Sequence, residues 1–163
     1  MNQELLKACL RYDPDTGIFF WLKSAGRLPA GSYAGSPTAD GYLQITVGGK
    51  NFKAHRLAWL YIYGSFPSGN LDHINRRKMD NRIDNLRLAT RAQNMRNVAR
   101  SATKKSGLPK GVTWAAKGRK HFRATVYVAG RAIYVGVFDS EQDAHKAYCD
   151  EAKKHFGEYF CAG

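Results

Sequence analysis

The stretch SATKKSGLP at residues 101–109 constrains the fold more than any other feature of the chain. It has neither a helical nor a strand-like apolar period, and Ser, Thr, Lys, Gly and Pro dominate it, the composition of a linker. It divides the 163 residues into two patterned parts, 1–100 and 110–163. Each part must then bury its own apolar surface, and modules this small do so with thin margins. A hydrophobic content of 44% is enough for two such cores.

Before the linker the pattern is mixed. Residues 2–12 place Leu5, Leu6, Cys9 and Leu10 at helical spacing, which predicts a short helix. Asp13-Pro14-Asp15-Thr16-Gly17 signals a turn, and Ile18-Phe19-Phe20-Trp21 a strand. Residues 26–35 are rich in Gly, Pro and Ser and predict a loop. Residues 41–47 alternate with period two, Gly48-Gly49 offers a hairpin turn, and 51–54 returns. From His55 the period becomes helical, with Gly64 suited to the C-cap and Pro67 stopping the helix. Short strands at 70–73 and 86–89 flank a polar connection, and a helix follows from about 91 to 100. Beyond the linker, strands over 111–114, 121–128 and 131–138 precede a helix capped by Asp139-Ser140, the order βββα.

The formal charge is +13, and its distribution narrows the partner. Residues 1–70 carry 7 basic and 4 acidic side chains, residues 71–100 carry 8 and 3, and residues 101–163 carry 11 and 6. Most of the excess thus lies in the last two segments, the electrostatic footprint of nucleic-acid binding. A membrane surface is the competing anionic partner. No stretch approaches ~18 apolar residues, so no span of a bilayer is expected. No basic segment followed by an apolar one opens the chain, so no signal peptide is expected. Cys9, Cys149 and Cys161 form no CxxC pair, which argues against a structural zinc knuckle and for free thiols in a reducing cytosol.

Chemistry concentrates in Leu71-Asp72-His73, Asn85-Leu86-Arg87 and Asn94. Asp72 is a hard oxygen donor suited to Mg²⁺ or Mn²⁺. His73 is suited to take a proton from water near neutral pH. Adjacent on a strand, the two side chains point to opposite faces. Asn94, on the following helix, could add a neutral ligand.

The segment DHINRRKMDNRIDNLRLATRAQN resembles the core of HNH endonucleases, the ββα-metal nucleases of phages and mobile introns. The resemblance covers residues 55–97. It implies His73 as general base, Asp72 as metal ligand and Asn85 as the central asparagine that braces hairpin and base. Asn94 stands where the family often has histidine, which favours Mg²⁺ or Mn²⁺ over Zn²⁺. Asn81, Asn85, Asn94 and Asn97 fall at the family's spacing. Asp80-Asn81-Arg82 is also a turn signature, and Asn97 reads as a bracing residue on the helix face. His55 supports the site from behind or makes structural hydrogen bonds, and Arg82 and Arg87 contact phosphates or serve structure.

Residues 108–160 resemble the Apetala-two/ethylene-response-factor DNA-binding domain, a three-stranded sheet on one helix. The matching residues include Gly111-Val112, Phe122-Arg123-Ala124, Tyr134-Val135-Gly136-Val137-Phe138, Asp143-Ala144, Ala147-Tyr148 and Phe156-Gly157-Glu158-Tyr159. The resemblance implies a sheet lying in the major groove. Alternation puts Phe122, Ala124, Val126, Val128, Ile133, Val135 and Phe138 toward the helix. It puts Arg123, Thr125 and Tyr127, with Thr113, Arg131 and Tyr134, on the DNA face. Lys110, Lys117, Arg119 and Lys120 suit phosphates. The alternative for Tyr127 and Tyr134 is a cross-strand aromatic pair.

The expectation is therefore an α+β chain with an HNH core of the ββα-metal kind, a mixed α/β element at residues 1–67 with no assigned chemistry, and a separate βββα module. The expected function is metal-dependent hydrolysis of phosphodiesters in double-stranded DNA, of the phage homing type, in the cytoplasm of a bacterial host. The alternative is a non-catalytic DNA-binding regulator on an HNH scaffold. A monomer is expected, with a dimer on DNA left open.

Overall fold

The computed structural model describes residues 1–97, 107–116 and 121–162. The expected helix end at 98–100, most of the 101–109 stretch, and Lys117, Arg119 and Lys120 lie outside the described residues. The fold is mixed, with four α-helices and four small antiparallel sheets among the described residues, as the α+β expectation holds. The chain divides into two compact units, Met1–Arg91 and Ala92–Gly163.

The first unit opens with helix α1 (Gln3–Cys9), capped by Asn2, whose side chain accepts from Leu5 N. The sequence pattern extends this helix to residue 12. Instead, Leu10–Asp13 form strand β1, paired with β2 (Ile18–Trp21). The intervening turn overrides the helical spacing. Asp13 Oδ1 accepts from Asp15 N and Thr16 N, and Gly17 takes φ 73° while its N–H reaches Asp13 O. Antiparallel pairing then draws Leu10 to Tyr12 out of the helix. A second sheet joins β3 (Ser36–Pro37), β4 (Leu43–Val47) and β5 (Lys50–Lys53), with Gly48 and Gly49 at positive φ between β4 and β5. Helix α2 (Ala54–Tyr63) follows and ends at Gly64, which adopts the left-handed conformation. Hairpin β6 (Asn70–His73) and β7 (Leu86–Ala89), with a 3₁₀ turn at Ile83–Asn85, completes the unit. One core serves all of it: Leu6, Leu10, Phe19, Leu43, Ile45, Leu57 and Leu60 pack with Leu86 of β7. The hairpin is thus anchored to the N-terminal segment by buried apolar contact.

The second unit holds helix α3 (Arg91–Asn97) from its second residue on, strands β8 (Val112–Trp114), β9 (Phe122–Val128) and β10 (Arg131–Phe138), and helix α4 (Glu141–Phe156). The sheet order is β10-β9-β8. Ser140 caps α4, its side chain accepting from Asp143 N. Ala124, Val126, Ala144, Tyr148 and Ala152 form the core with Leu108, and Phe122, Val128, Ile133, Val135 and Phe138 pack at its edge. A register shift between Tyr134 and Gly136 lets Val135 and Phe138 share the helix side despite their odd spacing. Gly111 is needed where it stands, because a Cβ there would lie 2.0 Å from the Tyr148 ring. No helix among the described residues is long and apolar enough to cross a membrane.

Candidate active site

The β6–β7 register sets Asp72 opposite Arg87 and His73 opposite Leu86. Asp72 and His73 are both buried, 9% and 5% exposed, so each needs a partner. Arg87 supplies one: its Nε and Nη2 donate to Asp72 Oδ2 at 3.0 and 2.8 Å. Arg82 pairs likewise with the two oxygens of Asp80, at 2.9 and 2.8 Å, and holds that carboxyl down to about 2. Both arginines expected at phosphates are engaged in ion pairs within the site.

His73 Nε2 lies 3.4 Å from Asn81 Oδ1, while Asn81 Nδ2 donates to Met79 O. With the amide nitrogen so used, its oxygen faces the ring, an arrangement that accepts a hydrogen bond from the Nε2–H tautomer. Burial pushes the His73 pKa below the ordinary imidazole value, against the upward pull of Asn81 and Asp72, so the ring is neutral at neutral pH. His55, the second residue of α2, meets His73 edge-on at 5.1 Å between ring centroids. Its Nδ1 is buried without a hydrogen-bond partner, and burial lowers its pKa to about 3. The Tyr42 ring lies 5.2 Å from His55 and 6.0 Å from His73.

The 74–82 connection is tied down from several sides. Asn85 Nδ2 donates to Asn75 Oδ1 and Asp80 O, and Asn85 Oδ1 accepts from Asn75 N. Asn85 therefore braces the loop, and these bonds run to the loop rather than to the imidazole. Tyr12 OH donates to Asn81 O at 2.7 Å, and Gly17 packs so closely that a Cβ would lie 2.4 Å from Arg82 N. The N-terminal hairpin thus positions Asn81, the residue that faces the His73 ring. Sequence reasoning noted Asn81 only by its spacing and a turn signature, and gave Tyr12 and Tyr42 no part. Their contacts span sequence separations that no local pattern reports.

Of the two residues expected to bind a metal, Asp72 belongs to the first unit and Asn94 sits on α3 in the second. Asn94 Oδ1 is buried without a hydrogen-bond partner, an orphaned acceptor of the kind a cation satisfies. No group of three or more His, Cys, Asp or Glu arranged for a metal occurs among the described residues. Asn97 is 5% exposed on the same helix.

In the second unit, Thr113, Arg123, Thr125 and Tyr127 line a cleft of about 500 Å³ with Arg96 and Lys110. Lys110 Nζ donates to Arg96 O and Cys161 O, so its ammonium ties chain segments within the unit. Tyr127 stands opposite Ala132 and Tyr134 opposite Thr125, so the tyrosines are not direct cross-strand partners. Both are exposed, as is Arg131, which lies outside the cleft lining.

Residues 52–96 match the HNH endonuclease family. Protein 3.8 of Escherichia phage T7 is 35% identical to the chain over 80 residues, which make up 48% of this chain and 64% of that protein. The matched region thus spans less than two thirds of the phage relative. No solved structure matches the chain.

Proposed function

We propose that the chain is a metal-dependent endonuclease that hydrolyses phosphodiester bonds of duplex DNA. The observation that carries this reading is His73: buried, neutral, held by Asn81 through Nε2, and set beside Asp72 in the segment that matches the HNH family. Nδ1 of His73 takes the proton of the attacking water, and the neutral ring is ready to do so near pH 7. Asn81 fixes the tautomer and ring plane, and Asn85 holds the loop that carries Asn81. Asp72 is the residue of the first unit that would hold Mg²⁺ or Mn²⁺, which when bound would offset charge on the phosphorane and the leaving oxygen. The exposed face of β8–β10, with Arg123, Thr125, Tyr127, Arg131 and Tyr134, binds duplex DNA and directs the cut.

A plasmid-nicking assay with Mg²⁺, Mn²⁺ or EDTA tests the reading. His73→Ala is expected to lower nicking by roughly 10²–10⁴-fold, the contribution of a general base, with duplex binding retained. Full activity in purified His73→Ala protein would sink the assignment. One observation favours the non-catalytic alternative: Arg87 already donates twice to Asp72. Wild-type protein that binds duplex but nicks with neither metal establishes that alternative.

A further inference from the structure

Two ammonium groups sit on the Tyr42 ring. Lys53 Nζ is 4.6 Å and Lys78 Nζ 4.7 Å from its centroid, and the same ring contacts both His55 and His73. Three separate segments converge here: the 38–42 turn, the end of β5, and the connection between β6 and β7. Asp40 ties the lysines together. Its carboxylate accepts from Lys53 at 2.8 and 3.0 Å, and its main-chain oxygen accepts from Lys78 at 2.8 Å. The turn itself is fixed, with Thr38 N donating to Tyr42 O and Gly41 N to Thr38 O. Lys78 runs along Gly41, whose added Cβ would lie 3.8 Å from Lys78 Cδ.

The electrostatic balance of this cluster is positive. Asp40 is held ionised, its pKa lowered to about 2 by Lys53 and Thr38, and offsets one of the two lysines. Lys53 is the N-cap residue of helix α2, which has no side-chain cap and no acidic residue in its first turn, so the positive end of its dipole adds to the excess. As a stabilising device the cluster is weak, because exposed ion pairs and exposed cation–π contacts contribute little. As an anion seat it is well formed, because the two charges are held at fixed places beside the base before any ligand arrives.

We propose that Lys53 and Lys78, held by Tyr42 and Asp40, bind a backbone phosphate of the DNA strand next to the bond on which His73 acts. This rests on the nuclease reading of His73 and assigns it two phosphate-binding residues that the sequence did not mark. Asp40 and Tyr42 are positioning residues, acting through the lysines.

The test uses the full chain and a labelled mixed-sequence duplex of about 30 base pairs, with binding measured in EDTA across 50–200 mM salt. The Lys53→Gln/Lys78→Gln double variant is expected to reduce the slope of log affinity against log salt by about 0.9, the loss of one neutralised phosphate, and each single variant by part of that. Lys78→Arg keeps the charge and the slope. Tyr42→Phe keeps the ring and the slope, whereas Tyr42→Leu loses part of it. In plasmid nicking the double variant is expected to raise KM roughly tenfold with kcat little changed, the pattern of lost uniform binding. A folded double variant with wild-type slope and KM overturns the seat while wild-type nicking leaves the His73 reading intact. Wild-type protein that neither binds nor nicks overturns both.

Discussion

His55 shows how one buried side chain couples the site to stability. Its unpartnered Nδ1 and its neighbours His73, Arg56 and Lys53 all oppose a positive charge there. The folded pKa of about 3 lies below the ordinary 6.5. Between those values the unfolded chain binds a proton that the folded chain refuses, so stability is present above the higher value and falls with pH below it. From pH 7 to pH 5 this one group removes about 2 kcal/mol. His55→Phe removes the titration and the orphaned nitrogen together. Unfolding free energies from urea titrations at the two pH values should therefore differ more for wild type than for His55→Phe, by about 2 kcal/mol. Equal pH sensitivity in the two proteins would show that His55 is protonated as easily when folded as when unfolded. His73 is pushed in the same direction by the same burial.

The β6–β7 hairpin depends on a cross-strand ion pair as well as on Leu86. Asp72 and Arg87 side chains are each only 11% exposed. Removing one partner strands a buried charge, at a cost of about 3–5 kcal/mol. Replacing both with neutral groups of similar size avoids that cost. Asp72→Asn and Arg87→Met are each expected to lower the urea midpoint, and the double variant to recover most of the loss while remaining inactive in nicking. Additive losses in the double variant would rule out the pair as a stability unit. The strands of this hairpin were legible in the sequence through the HNH-like motif that carries them, because Asn70-Leu71-Asp72-His73 has only one apolar residue of its own. The β9 and β10 faces were legible for a local reason, a period of two. Leu10 to Tyr12 were not, because Leu5, Leu6, Cys9 and Leu10 fit a helix and only the hairpin closed at Gly17 reverses that choice. Nor was Arg87 legible as the partner of Asp72: fifteen positions separate them, and only strand register makes them neighbours. The same holds for Tyr42 and Asn81, whose roles come from contacts with His55, His73 and Tyr12 across the first unit.

Across the whole molecule, the proposed division of labour separates cutting from gripping. His73 and the residues that hold it lie in residues 1–91, and the exposed basic and aromatic sheet face lies in residues 92–163. If that division holds, the two functions should fail independently. Arg123 and Arg131 are exposed on the sheet, and Arg123 Nη2 makes a hydrogen bond to Ala115 O that leaves other donors of the guanidinium for phosphate. Arg123→Gln with Arg131→Gln is expected to weaken duplex binding and to reduce the salt slope by about 1.8. At saturating plasmid the same variant should nick at close to the wild-type rate, because neither arginine touches the reacting atoms. His73→Ala should do the reverse, with wild-type binding and slope but no nicking. Loss of saturated nicking in a folded Arg123→Gln/Arg131→Gln protein would mean that the sheet takes part in forming the reactive complex. The reciprocal result, binding lost in His73→Ala, would place the main grip on DNA in the first unit.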